Sequence, residues 1–187
     1  MKAVMFFAEG FEEVEALSVV DVLRRGGVEV QMTAITEKGV SDGKYHIVTG
    51  AHGIGICMDS DIHNINIEET DAFLLPGGMP GTKNLKSSKV VCDILVRAYE
   101  NEKLVGAICA APSVLGACGI LKGKKATCYP GFEQELIGAD VRMDAVVVDG
   151  TVVTSRGVGT ALDFGLKILS LLTNEENSKN IKESILY

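Results

Sequence analysis

Cys109 lies in the stretch of this chain best suited to nucleophilic chemistry, Lys103-Leu104-Val105-Gly106-Ala107-Ile108-Cys109-Ala110-Ala111-Pro112-Ser113-Val114-Leu115. Leu104 to Ile108 reads as a short buried strand, and Ser113 onward as a helix. Cys109 falls on the joint, flanked by alanines small enough for a cramped corner. A strand-turn-helix corner of this kind is a nucleophile elbow, which lifts a reactive side chain clear at the carboxyl end of a sheet. Backbone N–H groups at the start of a helix favour thiolate over thiol. A small buried cysteine between strand and helix would be written the same way.

A thiol enzyme needs a base, an oxyanion site or a lowered thiol pKa. The three histidines, His46, His52 and His63, all precede the elbow and sit in a Gly-rich region, where exposed polar residues are expected. With Cys57 they make no zinc-ligand spacing. Carboxylates are the other proton carriers. Glu12, Glu13 and Glu15 follow the first strand, whose carboxyl end shares a sheet edge with the elbow if the two strands are neighbours. Periodicity does not choose among them, and at least two are expected to be solvated. The same turn, Ala8-Glu9-Gly10-Phe11-Glu12-Glu13, is too acidic for a phosphate, so no nucleotide or flavin cofactor is expected.

The elements that must position these groups follow a β-α-β rhythm. Ala3 to Phe7 reads as a strand, Glu12 to Arg25 as a helix with Ala16, Val19, Val20 and Leu23 on its apolar face, and Val28 to Ile35 as the next strand. That order points to a parallel sheet covered by helices. Between Glu37 and Ile65 glycines punctuate the chain, and Tyr45 to Val48 with Ile54 to Met58 forms a hairpin or edge addition. Ala72 to Leu75 is a strand running into Pro76-Gly77-Gly78, and Ser88 to Asn101 is a helix. After the elbow come a strand from Lys125 to Tyr129 and a hairpin pairing Ala145 to Val148 with Thr151 to Thr154 across Asp149-Gly150. Thr160 is the expected N-cap of a helix over Ala161 to Leu172, and a polar helix spans Asn174 to Ile185.

Composition sets the outer bounds. The chain has 187 residues, 47% hydrophobic and 23% charged, which suits one globular domain over residues 1–187. A net charge of -7 argues against nucleic acid and anionic membranes as partners. The five cysteines include no C-x-x-C pair, no apolar run reaches the ~20 residues of a membrane span, and no signal-peptide pattern opens the chain. Free thiols and a cytoplasmic location are expected.

Five pieces, in order, resemble the ThiJ/PfpI superfamily in its DJ-one branch. They are Ala8-Glu9-Gly10-Phe11-Glu12-Glu13-Val14-Glu15, Leu75-Pro76-Gly77-Gly78, Ala107-Ile108-Cys109-Ala110-Ala111-Pro112, Ala126-Thr127-Cys128-Tyr129-Pro130 and Thr154-Ser155-Arg156-Gly157-Val158-Gly159-Thr160. The resemblance implies a flavodoxin-like three-layer α/β sandwich with a mostly parallel central sheet, assembled as a homodimer. It implies that Cys109 is the reactive cysteine, that Glu15 is its protonated partner, and that the N–H groups of Gly78 and Ala110 form the oxyanion site. Glu15 is then raised in pKa by burial, and the thiol lowered by its hydrogen bond. Cys57 matches a position near the family's dimer interface, and Arg25 an interface or site-rim position, where a plain helix-end cap would read the same. No metal or organic cofactor is implied. The implied activity is glyoxalase- or deglycase-like, on small α-oxoaldehydes or their glycated adducts. The alternative is a redox sensor or stress-protective, chaperone-like protein working through oxidation of Cys109 without turnover.

Two departures from the family pattern bear on activity. Tyr129 stands where many relatives carry a catalytic His, and a phenol with a reference pKa near ~10 is a poor base. Ala110 stands where the protease-like branch has His, so peptidase activity is not expected. No His lies beyond His63, which excludes the triad of the related glutamine amidotransferases.

Overall fold

Alternation along the central strands builds two cores at once. In β1 (Lys2–Phe7), Ala3, Met5 and Phe7 face one side of the sheet while Val4 and Phe6 face the other. The pattern repeats in β6 (Ala72–Leu75), where Ala72 and Leu74 join the first core and Phe73 and Leu75 the second. Strands buried on both faces need helices on both faces. The computed structural model, which describes residues 1–35 and 46–187, supplies them.

Before β6 the chain forms α1 (Glu13–Arg25), β2 (Glu29–Ala34), β3 (Ile47–Thr49), β4 (Gly55–Cys57) and β5 (Ser60–Asp61). After it come α2 (Gly81–Ser87), α3 (Lys89–Glu100), β7 (Leu104–Ile108) and α4 (Pro112–Ala117). The remainder is β8 (Lys125–Ala126), β9 (Asp140–Val141), β10 (Val146–Asp149), β11 (Val152–Ser155), α5 (Ala161–Leu172) and α6 (Glu175–Ser184). The main sheet has seven strands in the order β10-β11-β7-β6-β1-β2-β5. Only the β10–β11 pair is antiparallel. Helices α1 and α5 cover the first core, and α3 and α4 the second. This is the α/β flavodoxin-like sandwich that the resemblance implied. The apolar positions expected on α1, Ala16, Val19, Val20 and Leu23, are all buried.

The glycine-punctuated region forms the expected hairpin, β3 paired with β4, separate from the main sheet. Tyr45, where its first strand was expected to begin, lies outside the described residues. Elsewhere the structure differs from expectation for local reasons. The strand expected to reach Tyr129 stops at Ala126, because the Thr127 N–H turns to Thr154 Oγ1 (2.9 Å) and the Tyr129 N–H to the Cys109 carbonyl (2.8 Å). Helix α2 was not foreseen; its seven residues hold little apolar periodicity. Thr160 stands before α5 but does not cap it, since its hydroxyl bonds the Gly157 carbonyl (2.9 Å) instead. Cys92 on α3 and Cys118 at the end of α4 form a disulfide with a Cα–Cα distance of 5.7 Å, so these two are not the free thiols expected. Packing of α3 against α4 brings the pair together across a sequence separation of 26.

Candidate active site

Four strand ends converge at the carboxyl edge of the sheet. The chain builds outward from β1 first to β2 and later, on the other side, to β6, so the strand order reverses beside β1, where open α/β sheets leave a crevice. Glu15 follows β1, Gly77 and Gly78 follow β6, Cys109 follows β7, and Gly157 follows β11. Glu15 and Cys109 therefore approach each other across the Gly77–Gly78 loop, since their strands flank β6 rather than pair directly.

Cys109 is a sharp corner in fact as well as in pattern. Its φ is 66°, a left-handed conformation that a non-glycine residue adopts at a cost on the order of 1–3 kcal/mol. Neighbouring strands hold it there. The Cys109 N–H donates to the Ser155 carbonyl (3.0 Å), and its carbonyl accepts from Tyr129 (2.8 Å). The thiol is free and partly exposed. The backbone N–H groups of Ala110 and Gly78 lie near its sulfur and favour its ionised form. Gly78 has a φ of 91°, and a Cβ there would collide with the Phe11–Glu12 backbone, so no other residue fits there.

Glu15 is completely buried in the first turn of α1. Its N–H donates to Glu12 Oε2 (2.7 Å), so the Glu12 side chain caps the helix start. Its Oε2 accepts the Gly77 N–H (2.9 Å), while Oε1 finds no donor of its own. The carboxyl lies beside the Cys109 thiol, both groups flanking Gly77. Burial, outweighing the thiol and the Gly77 N–H, raises the Glu15 carboxyl to about 7. A carboxylate oxygen buried without a donor is costly, whereas a neutral carboxyl can turn its O–H toward sulfur.

The thiol departs from expectation. Burial, then the charge of an ionised Glu15, push Cys109 up to about 12 against the lowering pull of the Ala110 and Gly78 N–H groups. The pair titrates as a unit, and its two protons leave in well-separated steps. The first step produces one negative charge shared between carboxyl and sulfur. The lowering expected of the thiol is therefore not found; a thiolate forms in that step only in the tautomer in which Glu15 keeps the remaining proton.

The other expected residues are placed as follows. Tyr129 lies beside the site, half-exposed, its ring against Gly157. Cys57 is exposed on β4. Arg25 pairs with Asp21 one turn back (2.7 Å). Cys128 is buried, its thiol raised to about 11 by burial and Glu133. The expectation that two of the three first-turn glutamates are solvated is wrong: Glu12, Glu13 and Glu15 are all buried. Glu13 stays ionised there because, against burial, it accepts from the His52 ring (2.7 Å) and the His52 N–H (2.7 Å). Sequence reading missed this role of His52, since nothing local connects residues 39 positions apart. Glu12, Glu13 and His52 bring donor atoms within 4.8 Å of one another, but Glu13 already spends both oxygens on His52.

Comparison with known proteins agrees with this geometry. The sequence matches the DJ-1/PfpI family over residues 1–171. Protein dj-1beta of Drosophila melanogaster is 34% identical over 98% of this chain and 96% of its own length. The crystal structure of that protein superposes with a TM-score of 0.90 over 99% of this chain and 97% of the other. Deglycase PH1704 of Pyrococcus horikoshii is 36% identical over 83% of this chain and 90% of its own length. Protein DJ-1 homolog B of Arabidopsis thaliana is 35% identical over 96% of this chain, which spans only 40% of that longer protein.

Proposed function

The chain belongs to the DJ-1/PfpI family, and on that premise we propose that it is a single-domain, cofactor-independent enzyme of carbonyl stress defence, using Cys109 as nucleophile on α-oxoaldehydes or their glycated adducts. The observation that carries this reading is the Cys109 thiol held between a buried, half-satisfied Glu15 carboxyl and two backbone N–H donors. A relative named as a deglycase supports the substrate class.

The steps balance without a cofactor. The singly ionised pair presents thiolate, which attacks the aldehyde carbon. The N–H groups of Gly78 and Ala110 hold the oxygen that becomes negative. Glu15 gives its proton to that oxygen and, now a carboxylate, carries the proton of the former aldehyde carbon to the adjacent carbon while the hydroxyl proton moves to the neighbouring oxygen, converting the hemithioacetal to a thioester. Water then cleaves the thioester, releasing a hydroxy acid and the thiol. In a glycated adduct the amine leaves first. Tyr129 supplies no base, so turnover is slow.

The same donors suit a second reading, a redox sensor. A sulfinate at Cys109 would accept from Gly78, Ala110 and a protonated Glu15. A homodimer is part of the proposal: Ile47 and Ile54 on the hairpin and Val14 on α1 expose apolar side chains. So is a cytoplasmic location, in whose reducing conditions Cys109 stays a thiol and the Cys92–Cys118 bridge would be reduced; no described helix is long and apolar enough to cross a membrane. Steady-state hydroxy-acid formation from methylglyoxal, and amine release from a glycated lysine, separate the readings. Slow turnover in wild type and none in Cys109→Ala is expected. No turnover in either, with ready oxidation of Cys109 by peroxide, would replace the enzyme reading by the sensor.

A further inference from the structure

The Glu12–Glu13 turn carries two carboxylates that the steps above do not use, and a histidine from a separate element answers both. Their side chains are 12% and 4% exposed, yet His52 Nδ1 lies 3.9 Å from Glu12 Oε1 and 2.7 Å from Glu13 Oε2. His52 belongs to the turn between β3 and β4, which is stitched to the residues after β1. Gly10 N–H donates to Thr49 O (2.8 Å) and Ala51 N–H to Phe11 O (2.7 Å). A Cβ on Gly50 would collide with the Glu13 carboxyl, so the two segments are in direct contact.

Glu12 links this pair to the reacting groups. Its carboxylate accepts the Glu15 N–H (2.7 Å), and its own N–H donates to the Gly77 carbonyl (2.9 Å). Glu15 and the Gly77–Gly78 loop, both beside the Cys109 sulfur, are thus held from one turn, and that turn is closed by His52. Resting on the reading of Cys109 as a reactive thiol, we propose that His52 is a positioning residue for the Cys109–Glu15 pair. Its imidazolium, held between Glu12 and Glu13, fixes the turn and offsets its negative charge, and so sets the pH range in which Cys109 reacts.

Among the described residues, the groups facing His52 are of one sign. Glu12 and Glu13 approach from the start of α1, and Glu9 in the same turn accepts the Thr49 N–H (3.1 Å). The Glu13 hydrogen bond, then the charges of Glu13 and Glu12, hold the imidazole in its cationic form to higher pH than usual. The sign of the effect follows from charge. The first proton lost by the Cys109–Glu15 pair leaves an anion, and a nearby cation stabilises it. Removing the cation leaves three carboxylates unopposed and moves that proton loss to higher pH. One unit charge acting through largely aqueous surroundings is worth about half a pH unit.

The test is the rate of Cys109 alkylation by iodoacetamide against pH, read by mass spectrometry of the Cys109 peptide. Wild type is compared with His52→Gln and His52→Arg, with thermal melts confirming that the variants fold. The ring is 68% exposed, so the replacements have room. The expected midpoint moves up by about half a unit in His52→Gln, a roughly threefold lower rate on the acid limb. In His52→Arg, whose charge is permanent, it returns to the wild-type position or below. A His52→Gln profile that superimposes on wild type would overturn the proposal. So would a His52→Arg profile displaced as far as His52→Gln, since that would mean shape and not charge. If Cys109 in wild type is alkylated no faster than Cys57 or Cys128, the reading of Cys109 itself fails, and the proposal with it.

Discussion

Gly77→Ala changes no chemical group, yet the structure places its new methyl in the middle of the proposed machinery. An added Cβ would lie 2.6 Å from Cys109 Cβ, 2.7 Å from Glu15 Oε2 and 3.0 Å from Cys109 Sγ. Ordinary carbon contacts are about 3.5–4.0 Å, so the groups must separate by roughly 1 Å. Gly77 does not have a positive φ, so the backbone itself tolerates alanine. The cost in a packed site is about 1–3 kcal/mol, and for a chain of this size each kcal/mol lowers Tm by roughly 2–4 °C. The effect on chemistry is larger than on stability, because a misplacement of about 1 Å can cost around 10²-fold in rate. Gly159→Ala is the control, since its added Cβ meets nothing within 4 Å and its φ is not positive. Cys109 alkylation rates and methylglyoxal turnover, with melts alongside, make the comparison. Both rates should fall in Gly77→Ala and hold in Gly159→Ala. Wild-type rates in Gly77→Ala would show that the Cys109–Glu15 contact is not what makes the thiol reactive.

The remaining predictions concern Glu15, Tyr129 and the cysteine pairing. Burial raises Glu15 from 4.5 to about 7, so its neutral form favours folding. That contribution is complete below 4.5 and is lost as pH rises through 7, a swing on the order of 3 kcal/mol that Glu15→Gln lacks. Denaturant curves at pH 4.5 and 8 should show wild type losing stability relative to Glu15→Gln; a constant difference would contradict burial of a neutral carboxyl. Tyr129→His should raise turnover, toward the ~10²–10⁴-fold that a positioned base supplies, and add a limb near pH ~6.5. Unchanged turnover would mean that the Tyr129 ring, packed on Gly157, points its tip away from substrate. Thiol titration of protein unfolded without reductant should find only Cys57, Cys109 and Cys128; titration of Cys92 and Cys118 as well would rule out their disulfide.

The sheet was legible because its strands carry their own signal. The runs around β1, β6 and β7 are apolar on both faces and end at Gly- or Pro-containing turns, a pattern set by short-range chemistry. Cys109 was legible for the same reason, as strand, corner and helix are contiguous. Glu15 was not singled out by periodicity. Three glutamates within four residues look alike in sequence, and only packing against the Gly77–Gly78 loop distinguishes them. The burial of Glu12 and Glu13 depends on a hairpin elsewhere in the chain, which no local pattern reports. The thiol shift was misjudged because the helix-start N–H of Ala110 is local, while burial and the charge of Glu15 come from the folded surroundings.

The central claim is that Cys109 bonds covalently to the substrate carbon, and acid quenching during turnover tests it directly. Wild-type protein is mixed with methylglyoxal, quenched within the first turnover, digested and read by mass spectrometry. The account predicts an acyl adduct on the Cys109 peptide that decays as hydroxy acid appears, with Cys57 and Cys128 unmodified. Undiminished hydroxy-acid formation by Cys109→Ala, or an adduct that forms only on another cysteine, would contradict it.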